Sequence, residues 1–98
     1  MKIEEKDGWL HADVTVSLKY GVCARPAAMI VKATMYYPHS IIFERNGIEV
    51  SCKSIMGLLT LELADRTQVH IRVEGTDQAA QDILIQLFKL LTDNDHDW

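Results

Sequence analysis

A cysteine and an arginine two residues apart, Cys23 and Arg25, are the side chains whose types and spacing are best suited to chemistry. They follow a run of alternating apolar and polar residues and precede a run with helical spacing that Pro26 can begin. The first N–H groups of a helix have no partner within it and, with the positive end of the helix dipole, they favour anions. A thiolate and a bound phosphoryl group are both anions, so we expect thiol or phosphoryl chemistry at Cys23, with Arg25 contacting the anion.

The second thiol and the four histidines are weaker candidates for a site. Cys52 continues an alternating apolar pattern, so it is predicted to be an unreactive buried thiol, and both cysteines are predicted to be free. The histidines fall on different predicted segments, at His11, His39, His70 and His96. Their spacing does not match that of metal ligands, so we predict neither a metal site nor a cofactor.

Length and composition predict a single domain over residues 1–98, with loosely ordered ends at 1–8 and 92–98. The net charge is −4 and the basic residues are scattered, which argues against nucleic acid as a partner. No apolar run approaches the ~20 residues of a transmembrane helix, and the first residues lack the apolar stretch of a signal peptide. We therefore expect a cytoplasmic protein without membrane insertion.

Alternation of apolar and polar residues predicts four strands. The clearest alternation covers residues 10–18, and a second regular one covers residues 68–74. Between them, strands beginning at residue 41 and covering residues 48–52 flank Asn46 and Gly47, a pair that favours the positive φ angles of a two-residue hairpin turn. One apolar and one polar face are typical of an antiparallel sheet with a solvated side.

Helical spacing, together with helix-starting and helix-ending residues, predicts three helices. The first begins at Arg25 and ends before Tyr37, because the residue before Pro38 disfavours helical geometry. The second is short, with Ser54 as its N-cap, and the third follows residues 75–77. The third helix presents a broad apolar face: Ala80, Ile83, Leu84, Leu87, Phe88 and Leu91. The order βαββαβα predicts an α+β open-faced β-sandwich, in which a four-stranded antiparallel sheet carries three helices on one face.

Two segments of the chain resemble the HPr family, the small histidine-containing phosphocarriers of the bacterial phosphoenolpyruvate-dependent sugar phosphotransferase system. Residues 21–27, Gly-Val-Cys-Ala-Arg-Pro-Ala, stand where family members carry a Gly-Leu-His-(Thr/Ala)-Arg-Pro-Ala-like segment. Residues 53–57, Lys-Ser-Ile-Met-Gly, are similar to a second family segment. The order of elements agrees with the family from Leu10 to Leu91, and the resemblance implies the family's βαββαβα fold.

The resemblance also implies roles for individual residues. Cys23 falls on the family's phosphoryl-accepting histidine, and Arg25 on the residue that neutralises the phosphoryl oxygens. Ser54 falls on the serine that a bifunctional kinase/phosphorylase phosphorylates in many Gram-positive members. The apolar residues near it fall on the surface that members present to their partners: Ile55, Met56 and Leu59. The chain departs from the family pattern at Cys23, and also at Glu62 and Arg66, which replace glycines.

The expected function is that of an HPr-like phosphocarrier, which relays or senses phosphoryl groups through protein contacts and is not a turnover enzyme. Two alternatives remain open. One is a non-carrier regulatory paralogue controlled by phosphorylation of Ser54, and the other is a thiol-based, redox-responsive binding module. The implied partners are enzyme I and sugar-specific phosphotransferase components, or a serine kinase or transcription regulator in catabolite regulation. We expect a monomer.

Overall fold

The chain folds into an antiparallel sheet with three helices packed on one face, and the computed structural model describes residues 1–93. The elements in chain order are β1 (Glu4–Lys6), β2 (Trp9–Thr15), α1 (Ala24–Thr34), β3 (Ile41–Arg45), β4 (Ile48–Ser51), α2 (Ile55–Thr60), β5 (Gln68–Glu74) and α3 (Gln78–Leu91). Within these residues the sheet has five strands in the order β1-β2-β5-β3-β4, and each neighbouring pair is antiparallel. The predicted α+β architecture is therefore confirmed.

The strand β1 makes the sheet five-stranded where the sequence predicted four strands and a loosely ordered amino-terminal segment. It pairs with β2 through a tight turn, and Glu4 lies opposite His11. The turn residues Asp7 and Gly8 have positive φ angles of 53° and 84°, as in the two-residue turns that join neighbouring strands. All three residues of β1 are charged and exposed, so no apolar alternation reveals this edge strand in the sequence. Charged side chains on an edge also oppose pairing with another chain.

The face of the sheet that the helices cover carries the core. The residues predicted to point inward from β2 and β5 are buried: Leu10, Ala12, Val14, Val69, Ile71 and Val73. The apolar face predicted for α3 joins the same cluster, with Phe88 half-buried and the other five residues buried. This one-sided burial leaves the alternate residues of β2 and β5 on the open face of the sheet.

Strand β2 ends at Thr15, before the predicted end at residue 18, and β4 ends at Ser51 instead of residue 52, whereas other predicted ends are found. Helix α1 ends before Tyr37, and Asn46 and Gly47 form the turn between β3 and β4 with φ angles of 53° and 78°. The carboxylate of Asp77 caps α3 by accepting a hydrogen bond from the Ala80 N–H at 3.0 Å. Predictions about residues 94–98, including His96 and most of the carboxyl end, lie outside the described residues. Among the helices in residues 1–93, none is long and apolar enough to cross a membrane.

Candidate functional site

Cys23 lies at the start of α1 with its side chain exposed. Its backbone is extended, and the first hydrogen bond of the helix runs from the Ala27 N–H to the Cys23 carbonyl oxygen at 3.0 Å. In the described part of the chain, the thiol makes no capping hydrogen bond to the helix. The predicted position at a helix start is confirmed, and the thiol is accessible at the end of the helix that favours anions.

Arg25 shares the first turn of α1 with Cys23. It is exposed, whereas the neighbouring Pro26 is buried. A guanidinium can form two parallel hydrogen bonds with a phosphoryl group, so its type and place fit an anion contact. The neutralising role of Arg25 stays a prediction.

The loop that presents Cys23, residues 21–23, is held against the segment that follows α2. We call it the Cys23 loop. Gly21 has a φ angle of +68°, and a Cβ added there would lie 2.6 Å from the carbonyl oxygen of Leu63. The same Leu63 oxygen accepts a hydrogen bond from the Val22 N–H at 2.8 Å. Backbone contacts with Leu63 therefore set the position of the loop that presents Cys23.

The segment after α2 is held in turn by Arg45 at the end of β3. The Arg45 guanidinium donates hydrogen bonds to the carbonyl oxygens of Leu61 at 2.8 Å and Glu62 at 3.1 Å. Carbonyl groups at the end of a helix lack intrahelical donors and attract cations. Sequence reasoning missed Arg45, because no local signal places the end of β3 beside the end of α2.

Glu62 and Arg66 have left-handed backbone geometry, with φ angles of 52° and 70°. These are the two positions at which the resemblance implies family glycines. Such geometry costs a residue with a Cβ roughly 1–2 kcal/mol, whereas glycine adopts it freely. The two replacements therefore leave backbone strain in the segment that supports the Cys23 loop.

We expect Glu62→Gly to raise the free energy of unfolding by about 1 kcal/mol, because glycine removes the penalty of the left-handed geometry. Urea denaturation of the parent chain and the variant measures the difference. Glu62→Ala is the matched control, since alanine removes the carboxylate but keeps the Cβ, and it should bring no comparable gain. Equal gains in both variants would show that the backbone angle is not the cause.

Ser54 begins α2, and its hydroxyl oxygen accepts a hydrogen bond from the Gly57 N–H at 3.0 Å, which confirms the predicted N-cap. The next two residues are apolar and exposed, Ile55 at 40% and Met56 at 73%. We call Ser54, Ile55 and Met56 the Ser54 patch. Leu59, the third residue of the predicted partner surface, is half-buried and packs against the core. It therefore offers less surface to a partner, and the docking role of all three apolar residues stays a prediction.

Cys52 precedes Ser54 by two residues and is buried, as predicted for a core thiol. Its Sγ donates a hydrogen bond to the Thr34 Oγ1 at 3.4 Å. Burial raises the pKa of the Cys52 thiol to about 11. Because the thiolate is the reactive form, Cys52 is chemically inert near neutral pH.

Comparisons with known proteins agree with this geometry. The family model for the PTS HPr component phosphorylation site matches residues 10–91. The HPr-like protein Crh of Halalkalibacterium halodurans is 40% identical over 77 residues, which are 78% of this chain and 92% of that protein. The phosphocarrier protein HPr of Treponema pallidum is 39% identical over 67 residues, covering 68% of this chain and 76% of that protein. The crystal structure of HPr from Bacillus anthracis gives a TM-score of 0.78 at 34% identity, covering 87% of this chain and 99% of that one.

The names of these relatives divide between phosphocarrier HPr and HPr-like Crh. They therefore do not distinguish a relay from a regulatory role, and they leave the roles of Cys23 and Ser54 as predictions. The family implies partners of the phosphotransferase system such as enzyme I. The family-model match over residues 10–91, the 40% identity to Crh of Halalkalibacterium halodurans and the fold shared with HPr from Bacillus anthracis show that this chain belongs to the HPr family of the phosphotransferase system.

Proposed function

We propose that this chain is a regulatory HPr-like protein, which binds partners through the Ser54 patch and is controlled by phosphorylation of Ser54. The observation that carries the proposal is the exposed Ser54 hydroxyl at the start of α2, followed in the chain by the exposed side chains of Ile55 and Met56. The family segment around Ser54 is complete in this chain, whereas the segment around Cys23 lacks its histidine. Two Crh proteins among the relatives also support a regulatory role.

A phosphoryl group on Ser54 would change the patch through its charge. Phosphoserine carries about −1.5 to −2 charges at neutral pH. The ammonium group of Lys53, the preceding residue, donates to the carbonyl oxygens of Tyr37 and His39, so one of its three hydrogens is left for a phosphate. The charge would therefore oppose partners with an apolar or acidic surface and favour partners that present arginines.

Treatment with an HPr serine kinase and ATP tests the site. We expect the intact mass to rise by one phosphoryl group, and we expect Ser54→Ala to abolish the rise. Ser51→Ala is the matched control, because Ser51 is also exposed and lies three residues away. Phosphate that persists in Ser54→Ala, or that is lost in Ser51→Ala alone, would contradict the assignment.

A second candidate function is phosphoryl relay through Cys23, which is favoured by the exposed thiol at the family's acceptor position. In this step the bond between phosphorus and the donor atom of phosphorylated enzyme I breaks, an S–P bond forms at Cys23, and the thiol proton passes to the departing donor group. A cysteine sulfur lies closer to the backbone than a histidine ring nitrogen does. In a donor site shaped for histidine, the sulfur would thus lie about an ångström from the position of the accepting nitrogen. Such a displacement can slow transfer ~10²-fold.

Phosphoenolpyruvate and enzyme I test the relay. If Cys23 accepts the phosphoryl group, the intact mass rises by one phosphoryl group, and prior treatment with iodoacetamide or the variant Cys23→Ser prevents the rise. No added mass after prolonged incubation would exclude the relay. Because Ser54→Ala should not affect this labelling, the two candidate functions are separated by donor and by residue.

A further inference from the structure

The open face of the sheet carries three connected titratable side chains far from the Ser54 patch in sequence. His70 on β5 pairs with Asp13 on β2, and His11 on β2 pairs with Arg72, so the two histidines are diagonal neighbours. The His11 Nδ1 and His70 Nε2 atoms are 3.0 Å apart, and the His70 Nδ1 lies 2.8 Å from the Asp13 Oδ1. A continuous chain of polar contacts therefore crosses the two strands.

The Asp13 carboxylate selects the tautomer of His70. A carboxylate only accepts hydrogen bonds, so the His70 Nδ1 donates to it, and the neutral ring keeps a lone pair on Nε2. That lone pair faces the His11 Nδ1. Histidines that bind metals are commonly oriented by a carboxylate in this way.

We propose that His11 and His70 form a two-histidine site for a divalent transition-metal ion, with one ligand nitrogen from each ring. Imidazole nitrogens lie about 2.0–2.1 Å from such ions, so two nitrogens at right angles around the ion are about 3 Å apart. The observed separation of 3.0 Å suits the right-angled geometries of Ni²⁺ and Cu²⁺, once each ring turns so that its lone pair points to the ion instead of to the other nitrogen. A tetrahedral Zn²⁺ ion would need about 3.4 Å between the nitrogens.

The ion takes the place of the hydrogen bond between the rings. The proton of His11 moves from Nδ1 to Nε2, and His70 keeps its proton on Nδ1, so both rings stay neutral and no proton is lost. In residues 1–93, no group of three His, Cys, Asp or Glu side chains is placed to hold a metal ion. Water therefore completes the coordination.

The surroundings leave room for such an ion and its water. A surface pocket of about 140 Å³ is lined by Lys2, Glu4, His11, Ala12, Asp13 and His70. Glu4 lies opposite His11 across the edge of the sheet and contributes negative charge, although the Lys2 ammonium is 3.4 Å from its carboxylate. Spacing in the sequence does not reveal the site, because the two histidines are 59 residues apart and meet only through strand pairing.

Titration of the tag-free chain with Ni²⁺ tests the proposal, with Cys23 blocked by iodoacetamide so that its thiol does not bind the ion. Calorimetry should show one Ni²⁺ ion per chain, and this paramagnetic ion should broaden the NMR signals of His11 and His70. We expect His11→Gln and His70→Gln each to weaken binding at least about tenfold, and Asp13→Asn to weaken it about tenfold.

The chain's other two histidines provide matched controls. His39→Gln and His96→Gln should bind Ni²⁺ as the parent chain does. The side chains of His11 and His70 lie on the open face of the sheet, so glutamine should preserve the fold, which the NMR spectra of the variants verify. Absence of Ni²⁺ binding by the parent chain, or unchanged binding in His11→Gln and His70→Gln, would overturn the proposal.

Discussion

Gly21→Ala is expected to lower the free energy of unfolding by about 2–4 kcal/mol, because two separate costs add. Alanine disfavours the φ angle of +68° at this position. Its Cβ would also lie 2.6 Å from the Leu63 carbonyl oxygen and 2.9 Å from the Ala64 Cα, which are backbone atoms that cannot rotate away. Either the Cys23 loop or the segment after α2 must move. Urea denaturation of the variant measures the loss.

Gly8→Ala separates the two costs. Gly8 also has a positive φ angle, +84°, but among the described residues no atom beyond Gly8 and its two chain neighbours lies within 4 Å of the added Cβ. Gly8→Ala should therefore lower the free energy of unfolding only by the cost of the φ angle, about 1–2 kcal/mol. Equal losses in Gly8→Ala and Gly21→Ala would show that the close approach of Leu63 does not hold the Cys23 loop.

Iodoacetamide at pH 8 is expected to modify Cys23 at least about a hundredfold faster than Cys52 in the folded chain. Cys23 is exposed, whereas Cys52 is fully buried and its pKa is raised to about 11. At pH 8 only about one Cys52 thiol in a thousand is ionised, and burial restricts access to that fraction further. Intact mass should show one alkyl group on the folded chain and two after unfolding in urea.

The variant Cys23→Ser supplies the control for this contrast. It should take up no alkyl group while folded and one after unfolding. Rapid native labelling of Cys52 would contradict its burial and its raised pKa. Because Cys23 is the more accessible thiol, peroxide should oxidise it before Cys52, as the hypothesis of a redox-responsive binding module requires.

The buried residues of the strands could be predicted from the sequence because apolar residues recur there at every second position. The alternation around Leu10 and Val69 marks strands that bury one face, and Asp77 marks the start of a helix. Strand β1 was not predicted because Glu4 and its neighbours are charged and exposed. Its pairing with β2 therefore produces no alternation of apolar and polar residues in the sequence.

At the site, local signals placed Cys23 and Ser54 at helix starts, which the structure confirms. The contacts that hold the Cys23 loop could not be predicted in the same way. Leu63 meets the loop through its backbone carbonyl, and Arg45 reaches the same segment from another strand. Such contacts depend on how distant elements pack, as does the pairing that brings His70 to His11.

Binding of enzyme I to the chain with and without a phosphoryl group on Ser54 is the most direct test of phosphorylation-controlled docking. Met56→Ala serves as the reference, since it should weaken binding by removing exposed apolar surface from the Ser54 patch. We expect the phosphate to lower the affinity at least about tenfold, because about two negative charges would lie against a docked surface. Equal affinity of the phosphorylated and unphosphorylated chains, together with weaker binding of Met56→Ala, would contradict control through Ser54.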